Sequence, residues 1–315
     1  MLLAIAVLVV ACDSSHQSPS RSSTPTPTPT GPVAVREPTG PPLPAFPDGS
    51  STGWSHTGVT LRPSPAITVT QDGAVLDGLD IVGNLVIKAN DVTVQRSRVT
   101  AGGFWPVSVA AGVTGFTLID SEVVGVQKSP NVCNVGVTGA NMTLIRVDIH
   151  NCEDGVHPGS DTTIRDSYIH DLWLGTNAAG VRVVPTHNDG IQVMGARHVT
   201  IEHNRIETGH NQNSAVFLKA DFSPIDDVRV VGNYVDGGSF AVYGEDTAKG
   251  KVTNVVVSGN TFGTSSLYGA MTTARWTGPT VVRGNVTTAG KSLPDESGPA
   301  RRVVISAPPG GSASP

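Results

Sequence analysis

The chain is poor in aromatic and charged residues: of its 315 residues, 5% are aromatic and 15% are charged. Helix bundles carry more Glu and Lys on their surfaces, so this composition, with 36 glycines, favours many short strands joined by tight turns. The net charge of −5 offers no positive surface for a phosphate backbone. The sequence therefore argues against a nucleic-acid partner.

The apolar run at the N-terminus is too short to cross a membrane. It extends from Met1 to Ala11, whereas a spanning helix needs about 20 residues. Its length suits the apolar region of a signal peptide, although no Lys or Arg precedes it. Ala11 followed by Cys12 resembles a bacterial lipobox, which implies lipidation of Cys12. We therefore predict a signal peptide with lipobox at residues 1–12 and an exported cell-surface lipoprotein on the extracellular side of the membrane.

Low-complexity segments flank the rest of the chain. Residues 13–47 are rich in Ser, Thr and Pro and cannot bury apolar surface, which predicts an extended, semi-rigid linker. Residues 307–315 form a Gly/Ser/Pro tail that we expect to be disordered. Residues 48–306 remain, which is ample for one core. We expect a single folded domain that is monomeric.

One pattern recurs through this domain: a β-branched strand, a polar turn and a second short strand, as from Asp91 to Val99. Copies start at positions 91, 115, 141, 161, 198, 227 and 254, at spacings of 24, 26, 20, 37, 29 and 27 residues, with a weaker copy near Pro279. One unit could bury almost nothing, but units stacked about 4.8 Å apart share a continuous core. A β-sandwich would need antiparallel hairpins with Asn-Gly turns, and none separates these strands. The pattern predicts an all-β fold, a single-stranded parallel β-helix.

The polar turn of each unit carries Ser in the early copies and Asn in the later ones. The positions are Ser97, Ser121, Ser167, Asn204, Asn233, Asn260 and Asn285. Asn tolerates left-handed backbone geometry, and stacked amides can hydrogen-bond from coil to coil. We therefore predict an asparagine ladder along the solenoid.

A second register aligns the strands that precede each unit. Thr138 and His157 occupy the same slot of adjacent coils, 19 residues apart, and Cys133 and Cys152 have the same separation. Stacked positions lie about 5 Å apart at Cα, within disulfide range. In an exported protein this predicts a Cys133–Cys152 disulfide, the alternative being two stacked buried thiols.

Two stretches resemble a known group. They are Phe46-Pro-Asp-Gly-Ser-Ser-Thr-Gly-Trp54, with Asp91-Val-Thr-Val94, and the segment containing Cys152-Glu-Asp-Gly155, Tyr168-Ile-His-Asp171 and His187-Asn-Asp-Gly-Ile-Gln192. They resemble secreted actinobacterial right-handed parallel β-helix repeat proteins of the pectin-lyase-like superfamily. The resemblance covers most of residues 46–285 and implies a right-handed solenoid. Its functional implication is broad, because the superfamily holds lyases, hydrolases, epimerases, adhesins and binding modules.

Chemically useful residues concentrate in the middle of the domain. Seven of the nine histidines fall between positions 150 and 210, together with Glu153, Asp154 and Asp189 and an insertion from Leu172 to Thr186. A long loop over consecutive coils can wall a cleft. Strand alternation directs one row outward: His157, Gln192, Phe217 and Tyr243, with Lys219 and Glu245 two residues further along. Val156, Ile191, Val216 and Val242 are predicted to point inward.

Two chemistries fit this cluster. The first is β-elimination on a uronate-containing polysaccharide, which needs a base and a cation that stabilises the developing charge. The candidate catalytic residues are His187, Asp189, Lys219, His157 and Arg182. The candidate substrate-binding residues are Gln192, Phe217, Tyr243, Trp173 and Glu245. Glu153, Asp154 and Asp189 could hold Ca²⁺, which prefers several oxygen ligands.

The second chemistry is glycoside hydrolysis, with Asp154 and Asp189 as the two carboxylates. However, the polygalacturonase pattern and the pectate-lyase arginine pattern are absent from the sequence. The same groove could also hold glycan without cleaving it, as in an adhesin, or the solenoid could be a spacer with no ligand. His150 and His170 occupy equivalent slots and are predicted to be a stacked structural pair. A zinc site of three histidines and a carboxylate lacks the supporting His-x-x-x-His pattern.

Overall fold

The computed structural model describes residues 46–128, 131–176, 186–209, 213–299 and 304–305. Cys12, Arg182 and the C-terminal tail lie outside these residues, so the predictions made for them stay predictions. Within the described ranges, no helix is long and apolar enough to span a membrane.

The described residues wind into coils whose strands form three stacks, here named faces A, B and C. Face A holds the strand that opens each sequence repeat, face B holds the strand after the polar turn, and face C holds the strand of the second register. Consecutive strands of one face belong to consecutive coils and pair in parallel, as Met142–Ile145 does with Thr162–Arg165. The predicted parallel β-helix is confirmed.

The strand bounds follow the sequence repeat closely. Face A contains Val75–Asp77, Thr93–Gln95, Phe116–Ile119, Met142–Ile145, Thr162–Arg165, Arg197–Glu202, Ile225–Val231, Val252–Ser258, Pro279–Arg283 and the antiparallel Glu296–Pro299. Face B contains the first parts of Arg62–Val69 and Leu79–Ile87, then Arg98–Ala101, Glu122–Gly125, Asp148–His150, Tyr168–His170, Arg205–Glu207, Tyr234–Asp236, Thr261–Phe262 and Val286–Thr287.

Face C contains the second parts of Arg62–Val69 and Leu79–Ile87, then Val107–Val109, Val135–Gly139, Asp154–Pro158, Asp189–Val193, Ser214–Lys219, Phe240–Glu245, Gly269–Arg275 and the antiparallel Val304–Ile305. Two further strands, Gln127–Lys128 and Asn131–Val132, pair with each other in antiparallel fashion. A short 3-10 turn spans Ser55–Thr57.

Alternation along face C divides the core from the outer surface as predicted. Val156, Ile191, Val216 and Val242 have no exposed surface. The residue after each of them is half-buried on the outside: His157, Gln192, Phe217 and Tyr243. The register joins these outer residues into one row, because Val156 pairs with Ile191, Gln192 with Phe217, and Phe217 with Tyr243.

The predicted ladder of polar turn residues is also present. Asn204, Asn233 and Asn260 have no exposed surface, and each backbone N–H donates to Oδ1 of the next asparagine along the solenoid, at 2.8–2.9 Å. One part of the reasoning is wrong: the left-handed residue is the one before each ladder position, such as His203 (φ 50°) or Gly232 (φ 66°). That residue makes the turn, which leaves the asparagine free to point its amide inward.

The disulfide between Cys133 and Cys152 is confirmed. The two Cα atoms lie 4.8 Å apart across a sequence separation of 19 residues. Both cysteines are fully buried, so the bond joins two adjacent coils from inside the solenoid.

An N-terminal segment lies lengthwise over face B. The ring of Phe46 packs on Tyr234 at 5.6 Å, whereas Nε1 of Trp54 donates to Glu122 at 2.7 Å. Glu122 and Tyr234 are four coils apart in the register of face B. The predicted structural pair, His150 and His170, stacks on the same face with ring centroids 5.2 Å apart.

Candidate functional site

The connections from face B to face C, here named the B–C corner, vary most in length around the middle coils. They are residues 102–106, 126–134, 151–153, 171–188, 208–213, 237–239 and 263–268. The short connection 151–153 lies between the two longest ones. Residues 177–185 of the long insertion lie outside the described ranges, and Arg182 is among them.

His157 and Asp154 form a contact at the start of face C, directly after the short connection. Nε2 of His157 lies 2.9 Å from Oδ2 of Asp154. The imidazole is 17% exposed and the carboxylate 8%, so solvent reaches the ring more readily than its partner. A carboxylate on one ring nitrogen fixes the orientation and tautomer of the imidazole, which leaves Nδ1 to accept a proton.

Asp154 and Asp189 occupy corresponding positions of adjacent coils and are both buried. Oδ1 of Asp154 accepts the backbone N–H of Asp189 at 2.7 Å, and Oδ1 of Asp189 accepts that of Ser214 at 2.9 Å. Asn213 donates its Nδ2 to the other oxygen of Asp189 at 3.2 Å. Burial raises the pKa of Asp189 well above its usual range, and the nearby charge of Asp154 raises it further.

This placement argues against the predicted role of Asp189. The residue has no exposed surface, so its carboxyl group does not face a bound polymer in this arrangement. Its assignment as a catalytic group, or as one member of a hydrolase pair with Asp154, stays a prediction. Asp189 instead holds the coils together by accepting the Ser214 N–H.

Glu153 is used as a bridge between coils. Oε2 accepts Nδ2 of Asn134 at 2.9 Å, and Oε1 accepts the backbone N–H of His187 at 3.1 Å. Within the described ranges, no group of three His, Cys, Asp or Glu side chains is placed to hold a metal ion. The predicted calcium ligands Glu153, Asp154 and Asp189 are thus not gathered as a set, because each is directed at a different hydrogen-bond donor.

The aromatic members of the outer row stack on each other. The rings of Phe217 and Tyr243 are 5.1 Å apart and inclined by 7°. The hydroxyl of Tyr243 donates to Glu245, and burial together with this hydrogen bond raises the pKa of Tyr243 to about 12. Tyr243 is therefore a neutral phenol at physiological pH and a hydrogen-bonding group rather than a base.

The charged side chains beyond this row are paired with each other. Nζ of Lys219 lies 3.2 Å from Oδ1 of Asp221, and Glu245 lies 3.2 Å from the guanidinium of Arg275. The register places Lys219 opposite Glu245 on adjacent strands.

The two remaining candidates lie at the insertion. Trp173 donates Nε1 to the carbonyl of Thr176 at 2.8 Å and is half-buried. His187 is exposed, and its carbonyl accepts the N–H of Asn213 at 3.0 Å. The structure thus brings His157 into contact with Asp154, whose other oxygen accepts the backbone N–H of Asp189 on the next coil, while Lys219, Tyr243 and Glu245 lie further along the same face.

Sequence reasoning missed three asparagines that support this site. Nδ2 of Asn188 donates to the carbonyls of Glu153 and Trp173, at 2.7 and 2.6 Å. Asn134 and Asn213 contact the carboxylates described above. Each of the three is the last residue of a B–C connection and directly precedes a face C strand. The recurrence of Asn at this position is the sequence signal that could have identified them.

Comparisons with known proteins place these features in context. A family model described as right handed beta helix region matches residues 107–286. The structure is similar to endo-xylogalacturonan hydrolase from Aspergillus tubingensis, with 15% identity, coverage of 75% of each chain and a TM-score of 0.51. It is also similar to PfbA, a surface adhesin of Streptococcus pneumoniae (13% identity, 77% of this chain and 71% of that chain, TM-score 0.49). The corresponding values for alginate lyase from Paenibacillus sp. str. FPU-7 are 13%, 72%, 97% and 0.39. No curated protein sequence matches the chain.

Proposed function

Since the chain belongs to the right-handed β-helix family, we propose that it binds a polysaccharide on face C and cleaves a uronate-containing polymer by β-elimination. The observation that carries this proposal is the contact between His157 and Asp154, at 2.9 Å, on the outer row of the middle coils. A buried carboxylate that orients a more exposed imidazole is an arrangement suited to proton abstraction. His157 is thus the proposed base, in preference to His187 or Lys219.

The reaction needs few groups. Nδ1 of His157 would remove the proton on the carbon beside the uronate carboxylate. The electron pair of that C–H bond would form a carbon–carbon double bond as the bond from the next carbon to the glycosidic oxygen breaks, and the leaving oxygen would take up a proton from water. The developing negative charge requires a cation. Lys219 and Arg182 remain the proposed cations, while Gln192, Phe217, Tyr243, Trp173 and Glu245 are proposed to contact the sugar rings.

The test compares two histidine variants on a panel of polyuronates. His157→Gln should lower the rate of unsaturated product formation, followed by its ultraviolet absorbance, by about 10²- to 10⁴-fold, as loss of a general base does. His198→Gln is the matched control, because His198 also lies 2.9 Å from a carboxylate, that of Asp161, on a different side of the coil. Equal rates in wild type and His157→Gln, with both variants folded, would contradict the proposal.

A second candidate function is glycan binding without cleavage, as in an adhesin. The ion pairs of Lys219 with Asp221 and of Glu245 with Arg275 favour this function. Side chains held in such pairs can hydrogen-bond to a glycan along the outer row. Retained binding of a polyuronate with no unsaturated product would select this function.

We also propose that the protein is exported and anchored through a lipid on Cys12. The disulfide between Cys133 and Cys152 supports an oxidising compartment. The full chain should partition into the detergent phase, and Cys12→Ser should move it to the aqueous phase. Aqueous partitioning of the wild type would contradict the anchor.

A further inference from the structure

The disulfide lies directly beside the candidate site. Only Glu153 separates Cys152 from Asp154, and the connection between His150 and Asp154 is residues 151–153 alone. Cys133 belongs to the preceding coil, with its Cα 4.8 Å from that of Cys152. A connection this short has no slack, so a displacement of Cys152 is passed on to Asp154.

Hydrogen bonds tie the same two coils together around the disulfide. The N–H of Glu153 donates to the carbonyl of Cys133 at 3.0 Å, and the N–H of Asp154 donates to that of Asn134 at 2.7 Å. The side chain of Asn134 donates to Oε2 of Glu153 at 2.9 Å. The position of the Asp154 backbone is therefore set by its separation from the coil of Cys133.

Little space surrounds the disulfide. A Cβ atom on Gly136 would lie 2.8 Å from the carbonyl oxygen of Gly155 and 3.7 Å from Sγ of Cys152, and both cysteines are fully buried. Two thiols need more room than a disulfide, because sulfur atoms that are not bonded cannot approach as closely as bonded ones. A close-packed interior transmits such a displacement rather than absorbing it. In the reduced protein we therefore expect the two coils to separate beside Asp154.

We propose that the Cys133–Cys152 disulfide positions Asp154 for its contact with His157, so that the site is complete only in the oxidised protein. The inference rests on the proposed function, because it takes the pair of His157 and Asp154, at 2.9 Å, to be the reactive one. The two cysteines are positioning residues, since both are fully buried and neither touches the substrate. The solenoid itself does not depend on them, because nearest-neighbour contacts along three faces hold its coils together.

The oxidation that forms the disulfide has to accompany folding. The two thiols lose two protons and two electrons to a disulfide of an exchange partner, which is reduced to two thiols as the bond between Cys133 and Cys152 forms. In the folded protein neither an oxidant nor a reductant reaches these buried residues. A chain that folds in a reducing compartment should therefore keep an incomplete site, whereas one that folds after export should complete it.

The test compares oxidised wild type with two forms that lack the disulfide: Cys133→Ala/Cys152→Ala, and wild type unfolded and refolded in excess reductant. Circular dichroism should show the same β-sheet content in all three. In oxidised wild type, the hydrogen-bonded Nε2–H of His157 should give a downfield proton NMR signal, identified by its absence from His157→Gln. Both disulfide-free forms should lose this signal. Their kcat for unsaturated product should fall about 10²-fold with little change in KM, as a displacement of about 1 Å in a catalytic group can cause.

Asn233→Ala is the matched control. It removes hydrogen bonds between coils on the turn between faces A and B, and it leaves the disulfide in place. This variant should lower the melting temperature while leaving the His157 signal and kcat unchanged. A general loss of stability and a specific loss of positioning are thereby distinguished.

The outcomes separate this inference from the proposed reaction. Loss of the His157 signal in both disulfide-free forms supports the positioning role; if wild type forms no product, or if kcat is unchanged, the same result refutes the reaction at His157. An unchanged signal in either folded disulfide-free form would overturn the inference, as would an equal loss in Asn233→Ala. Absence of the signal from oxidised wild type would overturn it as well. Failure of both disulfide-free forms to fold would do the same, because the disulfide would then serve the whole solenoid.

Discussion

Substituting one asparagine of the internal ladder should have a large and calculable effect on stability. Oδ1 of Asn233 accepts two hydrogen bonds from Asn204, one from its backbone N–H at 2.8 Å and one from the Nδ2 of the same Asn204 at 3.0 Å. Nδ2 of Asn233 donates to the carbonyl of Ile201 at 2.9 Å and to Oδ1 of Asn260 at 3.0 Å. Nδ2 also lies 3.2 Å from the carbonyl of Val231, and Asn233→Ala removes all five contacts in a position with no exposed surface.

The expected cost follows from the groups left behind. A buried donor without a partner costs about 1–3 kcal/mol, and the backbone N–H of Asn204 becomes such a donor. Loss of the bond to Ile201 and of packing around the amide adds to this, so Asn233→Ala should lower the free energy of unfolding by about 2–4 kcal/mol. The midpoint of urea denaturation should fall with little change in slope.

A serine variant tests whether the hydrogen bond is the cause. At the equivalent turn of an earlier coil, Oγ of Ser167 accepts the backbone N–H of Val147 at 3.0 Å. Asn233→Ser can make the same contact with Asn204, so it should cost about half as much as alanine. Equal midpoints for the serine and alanine variants would refute the reasoning, as would an alanine midpoint close to that of wild type.

Three further predictions concern the disulfide and two titrating groups. Replacing Cys133 and Cys152 by alanine should lower the free energy of unfolding by about 3 kcal/mol, and thiol titration of the unfolded wild type should gain two thiols on reduction. The pKa of Asp189 is raised above 3.8 in the folded state, so the folded state binds this proton more tightly than the unfolded state does. Wild type should therefore lose stability as pH rises above 3.8, and the melting temperature of Asp189→Asn should rise relative to that of wild type over that range. Burial alone would lower the pKa of His170, but hydrogen bonds and charges from Asp148 and Asp171 raise it above 6.5. Its stabilising contribution should be complete below 6.5 and disappear as pH rises through the folded pKa, and His170→Gln should abolish this change in melting temperature.

Most of the fold could be predicted because each coil repeats the same physical requirement. A β-branched strand recurs where a core must be filled, and a residue such as Asn233 recurs where a turn must be tied to its neighbour. The separation of 19 residues between Cys133 and Cys152 equals one coil, so the sequence alone predicts that the two cysteines pair. These features are set by nearest-neighbour contacts, and stacked repeats are governed by such contacts.

The site was predicted less well because it depends on the corners, where the repeat breaks. Strand alternation places Asp154 and His157 on opposite sides of a strand, since they are three residues apart. They nevertheless touch, because Asp154 stands at the first position after the corner.

The two lines of hydrogen-bond acceptors in the solenoid differ in a way that points back to function. On the turn between faces A and B, neutral Asn and Ser side chains accept the N–H of the neighbouring coil. On the B–C corner, the carboxylates of Asp154 and Asp189 accept the backbone N–H of the neighbouring coil. An amide would satisfy those N–H groups without the cost of burying charge. Oδ2 of Asp154 contacts Nε2 of His157. An amide nitrogen in place of Oδ2 could not orient the imidazole in the same way. The imidazole thus accounts for an acid at position 154, whereas the second oxygen of Asp189 accepts Nδ2 of Asn213.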